Sequence, residues 1–111
     1  MTWTVEASGT QTATIGTEHT LHTSAAAKTL VLRVDAVNMA DGDRVELRIY
    51  SKVLSGSTLA VAYLATFMHV QAQPVKISLP IVAAGHASGT QFTLKQTAGT
   101  GRAFAWSVES V

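Results

Sequence analysis

Histidines are the side chains of this sequence with the clearest metal-binding chemistry. His19 and His22 are three positions apart, a spacing that in a strand predicts opposite faces, so we do not expect them to share a metal ion. His69 lies in an apolar segment and His86 in a glycine-flanked loop, and the sequence announces no partners for a zinc cluster. We therefore interpret the histidines as ordinary surface or core residues.

A second set of possible ligands is formed by Asn38, Asp41 and Asp43, whose side-chain oxygens suit calcium. Their spacing does not match an EF-hand loop, which needs regularly placed oxygens and a bidentate Glu. Asx residues are common in turns, because their side chains hydrogen-bond the local backbone. The sequence therefore predicts a turn at this position, with no metal and no cofactor.

Motifs for nucleophilic or phosphate chemistry are missing from the sequence. It has no Gly-x-Ser-x-Gly elbow, and Gly99-Thr100-Gly101-Arg102 lacks the Gly-Lys-Ser/Thr ending of a phosphate loop. The seven acidic residues show no local pattern of the paired carboxylates that glycoside hydrolysis requires. We expect that the protein is not an enzyme.

The charge of the chain is small and widely distributed. Eight basic and seven acidic residues give a formal net charge of +1, and the basic residues do not cluster as nucleic-acid binding requires. The N-terminus lacks the basic and apolar regions of a signal peptide, and no apolar run reaches the length of a membrane helix. We expect no nucleic-acid partner, no membrane contact and synthesis in the cytoplasm.

The composition is unusual in two other respects. The sequence has no cysteine, so disulfides and thiolate metal sites are excluded. Charged residues make up 14% of the chain, against about 25% in ordinary soluble domains, and Thr and Ser take much of their place. Two interpretations stay open: a surface that packs against other proteins, or a Thr-rich sheet, since threonine favours strands.

All of these residues are expected on one β domain, because a chain of 111 residues fits a single domain and can bury its own core. From Lys28 to Ser51, apolar and polar residues alternate on both sides of the turn Asn38–Asp43, which predicts an antiparallel hairpin. A second hairpin is predicted from Gln91–Gln96 and Ala103–Val108. The domain covers residues 1–111.

The segment Thr58–Val70 is apolar in both phases of a strand, so periodicity does not distinguish a strand from a helix. A helix could begin at a Ser57 cap and end before Pro74, but the neighbouring strands and the β-branched residues favour a long buried strand. With the other short segments this gives about eight strands. We predict an all-β protein, a single antiparallel β-sandwich or jelly roll.

Large side chains outside the predicted core are the candidates for partner binding. Trp106 is in the apolar phase of its strand and is expected in the core, whereas Trp3 is expected to be exposed. Residues 1–9 end at a Ser-Gly break, which predicts an extended N-terminal arm with Trp3 as its anchor. Val5, and Tyr50 on the charged phase of its strand, complete the predicted partner-binding residues.

Three stretches, Thr14–Leu21, Asp43–Ser57 and Phe92–Arg102, together resemble small virion proteins of tailed bacteriophages. The resemblance spans most of the chain and consists of strand and turn patterns. It implies a capsid decoration (cement) protein on the capsid surface of the virion, which binds the major capsid protein and stabilises contacts between its subunits. It also implies a homotrimer or other homo-oligomer on the lattice, and it brings no catalytic residues.

Two other functions stay open at this point. A tail or head–tail accessory protein has a similar build. A carbohydrate-binding module displayed on the virion would stack sugars on exposed aromatic residues, for which Trp3, Tyr50 and Tyr63 are candidates.

Overall fold

Alternating apolar side chains build two antiparallel sheets that pack face to face. The computed structural model describes residues 2–111, and no helix occurs among them. The strands are β1 (Thr4–Thr12), β2 (Glu18–Ser24), β3 (Thr29–Asp35), β4 (Arg44–Ser51), β5 (Ala60–Met68), β6 (Val75–Ile77), β7 (Ile81–Val82), β8 (Thr90–Ala98) and β9 (Ala103–Ser110). The predicted all-β sandwich is therefore confirmed, and the very short β6 and β7 bring the strand number above the expected one.

Each sheet has a defined order of neighbouring strands. Sheet A runs β1-β9-β3-β6, with β7 also paired to β3, and sheet B runs β2-β8-β4-β5. All of these pairs are antiparallel. The Lys76 ammonium of β6 lies 4.8 Å from the ring centre of Phe67 in β5, so these two edge strands lie on the same side of the sandwich.

The core is formed by one phase of each central strand. Burying a large aliphatic or aromatic side chain stabilises the fold by about 1.5–3 kcal/mol, so these residues supply most of the driving force. The fully buried large apolar side chains are Leu30, Leu32 and Val34 of β3, Val45 and Ile49 of β4, Phe92 and Leu94 of β8, and Phe104 and Val108 of β9. Trp106 packs against this core, as its phase predicts.

Both predicted hairpins are wrong, because each pair of strands is divided between the sheets. β3 belongs to sheet A and β4 to sheet B, and β8 and β9 are separated in the same way. After β3 the chain turns inward, and Ala36 and Met39 are buried in the core before β4 begins. β3 and β4 therefore face each other across the core, whereas the alternating pattern predicts them as neighbours in one sheet.

The N-terminal segment also differs from its expected form. β1 continues through the predicted break, and its pairing with β9 begins at Thr4 opposite Ser110. Gly9, part of the predicted break, pairs with Trp106 within the strand. Of the arm predicted for residues 1–9, residues 4–9 belong to β1 and are part of sheet A. Met1 lies outside the described residues.

The strand predicted within Thr58–Val70 is confirmed as β5, but its predicted burial is wrong. β5 is the last strand of sheet B and pairs with β4 alone among the described strands. Its inward phase, which includes Tyr63 and Phe67, is partly buried, and its outward phase is exposed. A strand that is apolar in both phases therefore lies at an edge of the sheet.

A buried carboxylate joins the two connections that cross between the sheets at one end of the sandwich. Asp43, which is 1% exposed, ends the 36–43 connection between β3 and β4. Its Oδ2 accepts hydrogen bonds from the Ala40 amide at 2.9 Å and from Arg102 Nε at 2.7 Å. Its Oδ1 accepts one from the Thr100 amide at 3.1 Å. The 36–43 connection is thereby attached to the 99–102 connection.

A buried amide secures the second connection from inside. Gln96 Nε2 donates to the Ala98 carbonyl at 3.0 Å and to the Thr100 carbonyl at 2.7 Å. Gln96 Oε1 accepts a hydrogen bond from the Arg102 amide at 3.0 Å. Buried polar groups that find all their partners make a connection rigid at little cost. We call Asp43, Gln96 and Arg102 the Asp43 cluster.

The ionised form of Asp43 is the stable one in the folded protein. Burial raises the pKa of Asp43, but hydrogen bonds from Ala40, Arg102 and Thr100, with the charge of Arg102, outweigh burial and lower the pKa overall. A carboxyl whose pKa is lowered by folding contributes stability above its unfolded pKa, and that contribution is lost as the pH falls through the folded value. We therefore expect the free energy of unfolding to decrease on acidification below about pH 4.

The Asp43→Asn variant tests the role of this charge. Asparagine is neutral and presents one acceptor oxygen where Asp43 presents two, so at least one of the donors Ala40, Thr100 and Arg102 loses its partner. We therefore expect the free energy of unfolding in urea at pH 7 to fall by about 2–3 kcal/mol. At pH 3 the difference from the wild type should shrink, since Asp43 itself begins to be protonated. Asp41→Asn, at an exposed position of the same connection, is the control and should change stability by less than about 0.5 kcal/mol. An equal loss at both pH values would contradict the role of the charge.

The close approach of Gly99 to Asp43 gives a second test of the Asp43 cluster. Gly99 and Gly16 have similar positive φ angles, 88° and 83°. A Cβ at Gly99 would overlap the Asp43 carboxylate, whereas one at Gly16 would meet open space. We expect Gly16→Ala to cost about 1 kcal/mol of stability through backbone strain, and Gly99→Ala about 2 kcal/mol more. Similar losses in thermal unfolding of the two variants would show that the clash is relieved without cost.

Candidate partner-binding surfaces

The outer face of sheet A has a groove beside the N-terminal tryptophan. The groove is lined by Trp3, Val31, Arg33, Ile77 and Glu109 and has a volume of about 370 Å³. It forms because Val31 and Arg33 belong to the outward phase of β3, with Glu109 of β9 and Ile77 of β6 directly opposite them. Arg33 Nε donates to Glu109 Oε2 at 2.9 Å. An apolar wall that carries one ion pair is suited to binding a partner group or a small ligand.

Two of the predicted partner-binding residues lie on this face. Trp3 is 50% exposed and lines the groove, and the 57% exposed Val5 is opposite Glu109 in the pairing of β1 with β9. A second hollow of about 220 Å³ continues from Arg33 towards Val75 and Ala105. The structure therefore places Trp3 and Val5 on one continuous outer surface.

The outer face of sheet B carries a network of polar side chains centred on Glu18. Glu18 Oε2 accepts hydrogen bonds from the Tyr50 hydroxyl at 2.6 Å and from the Thr93 hydroxyl at 2.7 Å. Glu18 Oε1 lies 3.6 Å from Arg48, and Arg48 also contacts Glu46 at 2.8 Å. The network connects β2, β8 and β4, so its first effect is to hold three strands together.

Tyr50, the third predicted partner-binding residue, belongs to this network. It lies on the outer face of sheet B, away from Trp3 and Val5 on sheet A, so the three residues do not form one surface. The hydrogen bond to the Glu18 carboxylate raises the pKa of the Tyr50 hydroxyl. Burial raises the pKa of Glu18, but the hydrogen bonds from Tyr50 and Thr93 and the charge of Arg48 lower it overall. Both groups are thus fixed in one protonation state near neutral pH.

A surface that the sequence reading missed runs along the β5 and β6–β7 side of the sandwich. We define the aliphatic edge as a set of side chains that are each more than half exposed: Val61, Leu64, Met68, Val70, Val75, Ile77, Leu79 and Val82. No Asp, Glu, Lys or Arg occurs between Lys52 and Lys76. This gap in charge is the signal in the sequence, and it is equally typical of a strand buried on both faces. Exposed apolar surface of this kind is typical of an interface.

His19 and His22 lie on the same face of sheet B. A bulge in β2 places His19 opposite Leu94 and His22 opposite Phe92, on the same face of sheet B, so the prediction of opposite faces is wrong. His22 stacks on Phe92 with ring centres 6.4 Å apart. Within residues 2–111, no three His, Cys, Asp or Glu side chains converge as a metal ion would require.

The possible calcium ligands are also separated by the fold. Both oxygens of Asp43 accept hydrogen bonds, Oδ2 from Ala40 and Arg102 and Oδ1 from Thr100. Asn38 Nδ2 donates to the Ala103 carbonyl at 2.9 Å, and Asp41 is exposed to solvent. Of the three, Asp43 bonds the backbone of its own connection, whereas Asn38 bonds β9.

Comparisons with known proteins do not place the chain in a family. A scan against protein-family models and searches of curated proteins and of solved structures found no match. None of the described residues belongs to a helix that could span a membrane. The function must therefore be inferred from the surfaces of the sandwich.

The Tyr50→Phe variant tests whether Tyr50 acts within the sheet. Loss of its hydrogen bond to Glu18 should lower the free energy of unfolding by about 1 kcal/mol. Tyr63→Phe is the control, because the Tyr63 hydroxyl takes part in no side-chain hydrogen bond recorded for residues 2–111, and it should leave stability nearly unchanged. Equal stability of the two variants in urea denaturation would contradict a structural role of the Tyr50 hydroxyl.

Proposed function

We propose that this chain is a structural virion protein, a decoration protein that binds the outer surface of a tailed-bacteriophage capsid and stabilises contacts between major capsid protein subunits. The observation that carries the proposal is the aliphatic edge, together with the exposed Trp3 and Val5 on sheet A. Apolar side chains in this number are costly on a protein that works alone, and they are useful on one that packs against neighbours. The resemblance to small virion proteins points to the capsid as the partner.

The strand order supports the same proposal by analogy of fold. Consecutive strands alternate between sheets A and B at most connections, and the orders are β1-β9-β3-β6 and β2-β8-β4-β5. Apart from β7, which also pairs with β3, such interleaving of two rows of four strands is the arrangement expected of a jelly roll, a fold that recurs in viral capsid and lectin domains. Fold alone does not determine function, so this argument adds weight only beside the surfaces.

A decoration protein can bind a capsid firmly even if each copy binds its site weakly. On a capsid lattice one small module is repeated, and linked contacts raise the overall affinity well above that of a single site. We propose a homotrimer or another homo-oligomer as the bound form, because symmetric lattices favour symmetric partners.

The outer face of sheet A, with Trp3 at its groove, is the surface that we assign to the major capsid protein. A partly exposed tryptophan beside a hollow is typical of a binding hot spot.

A binding assay with capsids tests this assignment. Capsids of the encoding phage, prepared without this protein, should bind the purified chain in co-sedimentation and then resist thermal rupture to a higher temperature. Trp3→Ala should weaken the binding at least tenfold, since hot-spot tryptophans contribute about 2 kcal/mol or more. Val53→Lys is the control, because Val53 is 87% exposed and lies outside the groove and the aliphatic edge. Absence of co-sedimentation, or density for the chain on tails in electron micrographs, would overturn the proposal.

One observation favours carbohydrate binding as a second candidate function. The groove joins an exposed indole, Trp3, to the Arg33–Glu109 ion pair, and sugar sites often combine an aromatic platform with charged hydrogen-bonding groups. In this case the isolated chain should bind members of a glycan array. The binding should be lost in Trp3→Ala and kept in Val53→Lys.

A further inference from the structure

The outer side of β5 is an open strand edge. β5 is the terminal strand of sheet B, and its inner side is paired with β4. In an antiparallel sheet, every second residue of an edge strand directs its N–H and C=O groups away from the sheet. Because these groups form a regular row, the partner that satisfies them best is another extended strand.

β5 differs from the other sheet edges because its regular part is both long and apolar. The regular part of β1, Ala7–Thr12, is equally long but carries small and polar side chains. β1 contains Glu6 and a bulge after Val5, and β2 contains Glu18 and a bulge before His22. β6 and β7 have only three and two residues. β5 has nine residues, and its irregularity lies at its start, which leaves the Tyr63–Met68 part regular. Charges, bulges and short length are the usual protections of edge strands, and the regular part of β5 has none of them.

From this edge we infer that β5 pairs antiparallel with β5 of a second copy of the chain, which joins two four-stranded sheets into one. Two-fold pairing brings each residue of β5 close to the same residue, or to its near neighbours, in the second chain. A charged residue in β5 would therefore face a like charge across the contact. β5 itself contains no Asp, Glu, Lys or Arg, so the strand brings no charge of its own to such a contact. The nearby Lys76 ammonium lies over the ring of Phe67, which belongs to the inward phase of β5. A different protein would be selected by complementary charges, and β5 offers none.

The pattern of outward side chains also indicates the register. Leu64, Thr66 and Met68 are opposite Arg48, Glu46 and Arg44 of β4 and so share the outer face of sheet B. A two-fold axis beside Thr66 places Thr66 opposite Thr66 and Leu64 opposite Met68 of the second copy. Leu64 is 53% and Met68 55% exposed in the single chain, so this register covers both with apolar surface. Cross-strand pairs of threonine and of aliphatic residues are favourable.

The inference concerns the isolated chain; it shares the aliphatic edge with the proposed function, but it does not depend on which surface contacts the major capsid protein. It names the strand through which two copies associate, whereas the capsid assignment concerns the outer face of sheet A. The chain alone could dimerise without binding a capsid, or bind a capsid without dimerising. The two proposals therefore fail in different experiments.

Sedimentation equilibrium of the purified chain gives the first measurement. We expect a concentration-dependent species with twice the mass of one chain. Leu64→Lys, which places a charge in the contact, should weaken the association at least tenfold and leave the circular dichroism spectrum unchanged. Val53→Lys is the matched control and should associate as the wild type does. A wild-type chain that stays monomeric at all concentrations, or a Leu64→Lys variant that associates normally, would overturn the inference.

A cysteine placed at the axis gives the second measurement, and the chain is suited to it because it has no cysteine of its own. In the inferred register, Thr66→Cys brings two thiols together, since opposed Cβ atoms in antiparallel strands are about 4.5–5.5 Å apart. Mild oxidation should therefore convert Thr66→Cys rapidly and nearly completely into a covalent dimer. Val53→Cys should cross-link only slowly. Equal rates for the two variants would show that β5 does not pair in this way.

Discussion

The Asp43 carboxylate fixes the way in which the two sheets are connected, and the outer surfaces depend on that connection. It holds the segment between β3 and β4 against the segment between β8 and β9, and these four strands are the centres of the two sheets. Gly99 leaves room for the carboxylate, and Gln96 binds the second segment from inside. A buried, fully bonded polar cluster of this kind specifies one arrangement where apolar packing alone would allow several.

The strands of this fold could be predicted from alternation, but their partners could not. Leu30, Leu32 and Val34 would be buried equally well in a hairpin beside β4 or in an opposite sheet facing β4, so the same pattern fits both topologies. The difference lies in the connection, where buried Ala36 and Met39 carry the chain through the core. A turn of Asx residues and glycine signals a change of direction, and it does not tell whether the chain stays in the same sheet.

For the candidate surfaces too, the sequence indicates which residues are exposed but not what they contact. Trp3 and Val5 could be named as candidates because they are large apolar residues near the terminus, but the face they share is defined by the pairing of β1 with β9. Tyr50 was correctly expected on the polar phase of β4, but its hydroxyl is engaged by Glu18, a residue far away in the sequence. The aliphatic edge was not predictable from periodicity, because a strand that is apolar in both phases has the same pattern in the centre of a sheet and at its margin.

The gap in charge between Lys52 and Lys76 also determines how contacts made by β5 respond to the medium. An interface with no ionic groups releases water and no counter-ions when it forms, so its strength changes little with ionic strength. It depends instead on temperature, and it weakens on cooling as the hydrophobic contribution decreases. At constant protein concentration, an assembly held by this strand would keep its subunits when the medium is exchanged from moderate salt to fresh water, and it would lose them most readily in the cold.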